Sequence, residues 1–315
     1  MRIKTLLSTL IMVSSLTGCG SQKATYNLDL KVLSPYFAPA VAMHSFATEA
    51  NYETTSNPKE GLIPNFKKEN YDILVAPTNG GLMQIKQGAN YKIAATITFG
   101  NFYIVSSSKD SDGVLNAGDT IFAYQETDIP GQIFKYLYGE LGLDITWGGN
   151  VDTTKAVIEN YFSLKIDETT TKQFDYVFTS EPVVTTTNST VYKNCQEDFK
   201  TKSNGNELTQ ASIFVKNTAD KDKVDAFLNQ VEKSINSALN NPELIKNAIE
   251  KLGFESEQLN KFGITALDAY NCTKANNGLG LGFKRAKDIK NGIQSFVNLL
   301  TGNKYGELSE EVIYQ

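Results

Sequence analysis

Arginine is almost missing from this sequence: in 315 residues it occurs only at Arg2 and Arg285. The guanidinium fork is the side chain best shaped to hold a carboxylate through two parallel hydrogen bonds, so its scarcity argues against a carboxylate clamp. Histidine occurs once, as His44 inside the apolar helical stretch APAVAMHSFATEA, where it reads as a helix residue rather than a functional one. There are three cysteines, Cys19, Cys195 and Cys272, and no set of ligands with metal-site spacing, so no metal and no zinc chemistry is expected. No Gly-x-Ser-x-Gly elbow is present, which argues against an α/β-type hydrolase. The absence of repeats and of a low-complexity stalk argues against an adhesin. Asp110 and Asp112 superficially suggest a calcium loop, but Gly113 comes too early and no glutamate closes the frame. Gly278, Gly280 and Gly282 follow no strand and lack dinucleotide spacing, so no cofactor is expected either.

The apolar run from Leu6 to Val13 is too short for a permanent membrane span. Arg2 and Lys4 precede it and Leu16, Thr17, Gly18 and Cys19 close it, as in a secretory signal. The Leu-x-Gly-Cys ending resembles the bacterial lipoprotein signal. Residues 1–18 are therefore expected to be a signal peptide, Cys19 a lipidated first residue, and 19–25 a tether. Removing the leader takes away two basic residues and no acid, changing the formal net charge from −5 to about −7. An acidic body lacks the field that nucleic acid or an anionic membrane surface requires, which leaves the lipid as the one membrane contact. In an exported chain Cys195 and Cys272 are candidates either for a disulfide or for two lone buried thiols.

With 41% hydrophobic and 21% charged residues, the chain suits one large globular unit or two lobes. YNLDLKVL reads as a strand, PYFAPAVAMHSFATEA as a helix, YDILVAP as a strand and GGLMQIKQG as a short helix ended by Gly88. YKIAATITFGNFYIVSS reads as two strands divided at Gly100, and SSSKDSDGVLNAGD as a loop between lobes. A second unit follows: TIFAYQETD as strand and turn, IPGQIFKYLYGELGL and TTKAVIENYFSL as helices, and FDYVFTSEPVV as a strand. QASIFVKN then leads into two amphipathic helices, and the tail from Ser256 reads as helix and loop. Strands alternating with helices imply an α/β protein with a mostly parallel sheet. YDILVAPTNGG and FDYVFTSEPVV match: an aromatic residue, Asp, three apolar residues, then a polar break. In open α/β sheets such breaks at strand carboxyl ends face a ligand crevice.

The ordered set LTGC, YDILVAPTNGG, ITFGNFYIVSS, IPGQIFKYLYGELGLD and FDYVFTSEPV resembles the substrate-binding lipoproteins of bacterial ABC importers. More narrowly, it is similar to the group that includes the alkanesulfonate, taurine, nitrate and thiamine-precursor binding proteins. The resemblance implies a two-lobed, type II periplasmic-binding-protein-like α/β fold with two hinge strands in NFYIVSS and QASIFVKN. Lobe I would be 26–105 plus 213–315, and lobe II 106–212. The implied function is an extracytoplasmic receptor that closes over a small polar organic solute and delivers it to ABC permease subunits. It would be a lipid-anchored monomer on the outer face of the cytoplasmic membrane, and not an enzyme. The implied cleft consists of Ser34 and Pro35, then Thr78, Asn79 and Gly80, then Gly100 and Asn101. The other lobe would contribute Thr127, Asp128 and Ile129, with Glu181 and Pro182. Each of these residues has a plainer role as turn or helix cap. Tyr36, Phe37, Phe99, Phe102 and Tyr124 suit either stacking on a flat ring or the core. With Asp128 and Glu181 nearby and arginine scarce, a neutral or cationic heterocycle is favoured slightly over an anion. The remaining alternatives are an exported enzyme acting on a small heterocyclic metabolite, or a lipoprotein that binds a protein partner.

Overall fold

The computed structural model describes residues 28–108 and 114–315. The expected leader, Cys19, its tether, and Asp110 and Asp112 lie outside the described residues.

Apolar runs build the first half: β1 (Val32–Pro35), β2 (Tyr52–Thr55), β3 (Ile73–Pro77) and β4 (Tyr91–Thr98). Between them come α1 (Ala38–Ala42), α2 (Asn65–Lys68) and α3 (Thr78–Lys86). Ile73 to Ala76 are all fully buried, as a strand covered on both faces requires. The second half holds β5 (Phe102–Ser106), β6 (Thr120–Tyr124), α4 (Ile129–Tyr138), β7 (Asp144–Gly149) and α5 (Val151–Glu159). It continues through a hairpin of β8 (Ser163–Lys165) and β9 (Thr171–Gln173) to β10 (Tyr176–Ser180), α6 (Val183–Thr186), β11 (Val191–Asn194) and α7 (Cys195–Lys202). The chain returns with β12 (Ala211–Lys216), α8 (Lys221–Asn240), α9 (Glu243–Glu250), α10 (Ala266–Lys274), β13 (Leu281–Arg285) and α11 (Lys290–Thr301).

These strands form two sheets, ordered β13-β4-β12-β3-β1-β2 and β11-β5-β10-β6-β7. With the edge strand β13 set aside, each sheet has one internal strand that runs against both of its neighbours. In the first it is β12, antiparallel to β3 and β4; in the second it is β5, antiparallel to β10 and β11. Both are the strands on which the chain enters from the other lobe. Apart from the edge strand β13, the two sheets share one topology, and this is the two-lobed α/β fold expected from the sequence. The sheets are mixed rather than mostly parallel as expected, with four parallel and five antiparallel pairings, because the returning strands β5 and β12 insert against the direction of their neighbours.

Several boundaries differ from expectation. Phe102 to Ser106 pair with β10 and β11, so the first crossing falls at residues 99–101, and 102–105 belong to the second lobe. Ala211 and Ser212 already pair with β3, so they belong to the first. The polar stretch after β5 joins two strands of the same sheet instead of joining the lobes. The helix expected over 35–50 is limited to α1 and a short 3-10 turn, His44–Phe46. TTKAVIENYFSL leaves the helix at Glu159, because Tyr161 and Phe162 take left-handed backbone (φ 54° and 58°) before β8 begins. The glycine-rich tail contains an edge strand, β13, which pairs with β4.

Helix α8 shows how local sequence fixes an element. The Asp220 side chain accepts the Lys223 N–H at 3.1 Å and caps its start. Val224, Phe227, Leu228, Val231 and Ile235 then recur at helical spacing and are fully buried. A single apolar cluster extends through both lobes, joining Phe66 and Phe214 of the first to Phe102, Phe134 and Phe178 of the second.

Candidate functional site

The parallel strands of both sheets end at the same gap. Pro35 closes β1, Pro77 closes β3, Tyr124 closes β6 and Ser180 closes β10, and all four line one cavity of about 260 Å³. Its walls come from both lobes. The first supplies Tyr36, Phe37, Pro39, Pro58 and Ala211, and the second supplies Phe102, Ile129, Pro130, Val151 and Glu181. The floor is the pair of crossings, represented by Asn101 and Gln210.

The crossings are tied to each other. Asn101 Nδ2 donates to the Glu181 carbonyl at 3.1 Å, and Gln210 Nε2 donates to Asn101 Oδ1 at 3.2 Å. Glu181 N–H donates to the Asn101 carbonyl at 3.0 Å, and Gln210 N–H to the Thr98 carbonyl at 3.0 Å. Both ends of the Asn101 amide are thus taken up by the hinge. Gln210 keeps a free acceptor: its Oε1 is buried without a hydrogen-bond partner.

Glu181 is 5% exposed, and its carboxylate turns toward α6. One oxygen accepts the Thr185 N–H at 3.0 Å, and the other accepts the Thr185 hydroxyl at 2.8 Å. Cys272, on α10 of the first lobe, approaches the same carboxylate with Sγ at 3.6 Å. Burial, with the Glu181 charge beside it, holds the Cys272 thiol well above the usual thiol range. At the second lobe's wall the Tyr124 hydroxyl pairs with Ser180 Oγ at 2.8 Å, and burial pushes it up to about 12.

Among the residues expected from sequence, Pro35, Asn101, Ile129 and Glu181 meet at this cavity. The others have different surroundings. Ser34 is fully buried, with its hydroxyl 3.2 Å from the Pro35 carbonyl. Thr78 is fully buried and shares a hydrogen bond with Ser212 (2.7 Å), which joins Thr96 in turn (2.9 Å), so it braces the first sheet from within. Asn79 and Gly80 sit in the first turn of α3 outside the lining, and Asn79 Oδ1 is buried without a partner. Gly100 has φ 92° and lines a separate hollow behind the crossing, with Phe99 and Tyr103. Thr127 and Asp128 are exposed; Asp128 stands at the start of α4 but makes no side-chain cap. Pro182 precedes α6 outside the lining. Cys195 and Cys272 are free thiols with different partners, which corrects the disulfide alternative: Cys195 lies 3.6 Å from the Tyr138 hydroxyl of the second lobe, and Cys272 lies 3.6 Å from the Glu181 carboxylate.

Of the aromatics, Tyr36, Phe37, Phe102 and Tyr124 line the cavity, whereas Phe99 does not and carries the Lys284 ammonium 5.4 Å above its ring. Sequence reading missed Pro39, Pro58, Val151, Ser180 and Gln210. One signal was available: prolines concentrate just after the strands of this chain, and five of its eight line this one cavity.

A larger hollow of about 690 Å³ opens elsewhere, between Tyr136 and Lys202 of the second lobe and Gln294 and Asn298 of α11. Several of its polar groups are already engaged with the backbone. Lys202 Nζ donates to the Tyr136 carbonyl (2.6 Å), Asn298 Nδ2 to the Gly306 carbonyl (3.2 Å), and Gln294 Oε1 accepts Leu308 N–H (3.1 Å). No strand points its carboxyl end there, so the smaller cavity is the better candidate. Among the described residues, no group of three or more His, Cys, Asp or Glu is placed to hold a metal ion.

No protein-family model matches the sequence, and no curated protein sequence matches it either. Solved structures do match. An ABC transporter protein from Parabacteroides distasonis superposes with a TM-score of 0.69 at 14% identity, covering 92% of this chain and 99% of that one. The periplasmic aliphatic sulphonate binding protein of Escherichia coli gives 0.60 at 10% identity, covering 90% and 92%. A ligand-binding component of an ABC-type import system from Staphylococcus aureus, solved with zinc bound, gives 0.58 at 11% identity, covering 91% and 96%. The chain therefore has the two-lobed fold of ABC-importer binding proteins along nearly its whole length.

Proposed function

We propose that the chain is the extracytoplasmic solute-binding receptor of an ABC import system. The observation that carries this reading is the cavity itself: both lobes contribute walls, both sheets end at it, and both crossings form its floor. A solute seated there touches both lobes at once, so it binds the closed arrangement better than an open one and draws the lobes together. A permease can then read closure as the loaded state. The likeness in fold to ABC-importer proteins supports the same reading.

A receptor of this kind has to stay near its permease, and the Leu-x-Gly-Cys sequence at 16–19 supports a lipid anchor on Cys19, outside the bilayer, for a monomeric body. No helix among the described residues is long and apolar enough to cross a membrane. The partners on this reading are a small organic solute and the permease subunits, with membrane contact through the lipid alone. The non-enzyme reading is supported by the settings of the reactive groups: His44 is buried against its own helix, and both described thiols are buried.

The test is a thermal-shift screen against a solute panel that includes sulfonates, nitrate and uncharged aromatics, with product analysis by mass spectrometry. Stabilisation without turnover is the expected result, and turnover would replace the receptor with an enzyme. Separately, Cys19→Ala is expected to move the protein from the membrane fraction to the soluble one.

A further inference from the structure

We propose that the cavity takes an uncharged, largely apolar solute of one or two rings that donates a hydrogen bond to Gln210. This rests on the reading of the cavity as the solute site and names the class of solute it would accept.

The donors and charges of the lining decide which solute fits. Binding sites at strand carboxyl ends usually hold anions through the free N–H groups of helix starts. In this cavity several of those groups are removed or already used. Pro39 and Pro130 stand in the first turns of α1 and α4, where each deletes a donor. Tyr36 N–H goes to the Thr55 carbonyl (3.0 Å), Phe37 N–H to the Phe262 carbonyl (2.8 Å), and Thr78 N–H to the Gln210 carbonyl (3.0 Å). At α5 the Asn150 side chain takes the Thr153 N–H (2.9 Å), and at α6 Glu181 takes the Thr185 N–H (3.0 Å). No lysine or arginine stands among the described lining residues, and the one charged group there, Glu181, is an acid. An anion entering this space would lose its water and meet an acid in the wall with no cation to replace that water.

A cation fares little better. Both Glu181 oxygens already accept hydrogen bonds from Thr185, Asn101 and Ser180 are engaged with protein groups, and the rest of the wall is mostly proline, aromatic and aliphatic. An uncharged ring system loses little on entering such walls and gains contact with Tyr36, Phe37, Phe102 and Tyr124. The buried lining side chain with an acceptor left over is Gln210. Its Oε1 is buried without a partner while its Nε2 is held by Asn101, so the side chain is oriented and one acceptor is left over. A solute N–H or O–H would satisfy it. A volume of about 260 Å³ lies below the range of drug-sized ligands, which limits the solute to one or two rings.

The test uses the purified full-length protein and matched probes by isothermal titration calorimetry: benzamide, N,N-dimethylbenzamide, benzenesulfonate and benzyltrimethylammonium. Benzamide is expected to bind about ten-fold more tightly than either charged probe. In Gln210→Leu its affinity should fall about ten-fold while that of N,N-dimethylbenzamide, which has no N–H, stays unchanged; Gln210→Glu, which keeps an acceptor, should retain benzamide. Melting without solute checks that each variant is folded. Preference for benzenesulfonate or the ammonium probe overturns the proposed class and leaves the receptor reading standing, as does an equal loss of both amides in Gln210→Leu. Silence toward all four probes together with silence in the wider sulfonate, nitrate and aromatic screen removes the receptor reading and this inference with it.

Discussion

His44 is 4% exposed and its Nδ1 lies 3.1 Å from the Val41 carbonyl, so its ring is held neutral inside the first lobe. Burial brings its pKa down from 6.5 to about 4. Between those values the unfolded chain takes up a proton that the folded chain refuses. The stability that comes from burying a neutral ring is therefore complete above pH 6.5 and is lost as pH falls toward 4, by about 3 kcal/mol at pH 4. Urea unfolding at pH 7 and 4.5 should show a smaller loss in His44→Gln than in the wild type, and equal losses would mean that the ring protonates freely when folded. The cysteines give a second residue-scale prediction. Burial pushes the Cys195 thiol up to about 12 and raises Cys272 as well. A thiol kept protonated and away from solvent is a poor nucleophile, so Ellman's reagent should leave both untouched in the native protein. In concentrated guanidinium chloride both should react without prior reduction, and a need for reductant would restore the disulfide.

Two adjacent glycines in α3 separate packing from propensity at the level of an element. A Cβ on Gly81 would stand 2.2 Å from Phe214 Cζ, and that ring cannot retreat because Phe66 stacks edge-on against it at 5.4 Å. Gly81→Ala should cost about 1–3 kcal/mol by forcing α3 off the sheet. At Gly80 the nearest atom to such a Cβ is Ile63 Cδ1 at 3.6 Å, an ordinary contact. Gly80→Ala should therefore raise stability by about 0.5 kcal/mol or more through helix propensity alone. Chemical denaturation of the two variants checks the contrast, and similar effects at both sites would show that α3 does not seat on Phe214 as described. The existence of α3 and β3 was readable from YDILVAPTNGGLMQIKQG. The need for glycine at 81 was not, because the clash partner is more than 130 residues away in the chain.

Across the whole molecule the lobes are distinct in their sheets but joined in their packing. Phe199 of α7 meets Phe296 of α11 edge-on at 6.2 Å, across the boundary between lobes, and Tyr103 Oη donates to the Gly278 carbonyl at 3.1 Å. One apolar cluster contains residues of both sheets. Scanning calorimetry should therefore show a single unfolding transition. Phe296→Ala should lower stability by about 3–5 kcal/mol without splitting that transition. Two resolved transitions would mean that the lobes melt independently and that the shared cluster carries little energy.

Buried strands such as Ile73–Pro77 and Tyr176–Ser180, and amphipathic helices such as Lys221–Asn240, are determined by the sequence itself, because periodicity and apolar runs act over a few residues. The breaks at or just after the ends of β1, β6 and β10, where Pro35, Ile129 and Glu181 stand, were legible for the same reason, since a break after an apolar run marks where the chain leaves a sheet. The insertion of β12 between β3 and β4, and of β5 between β10 and β11, was decided only in three dimensions. Those pairings place Gln210 beside Asn101, and Val151 and Pro58 on the wall of one cavity. Which donors remain free depends on partners such as Phe262 for Phe37 and Gln210 for Thr78, brought together by packing over distances that no local pattern records.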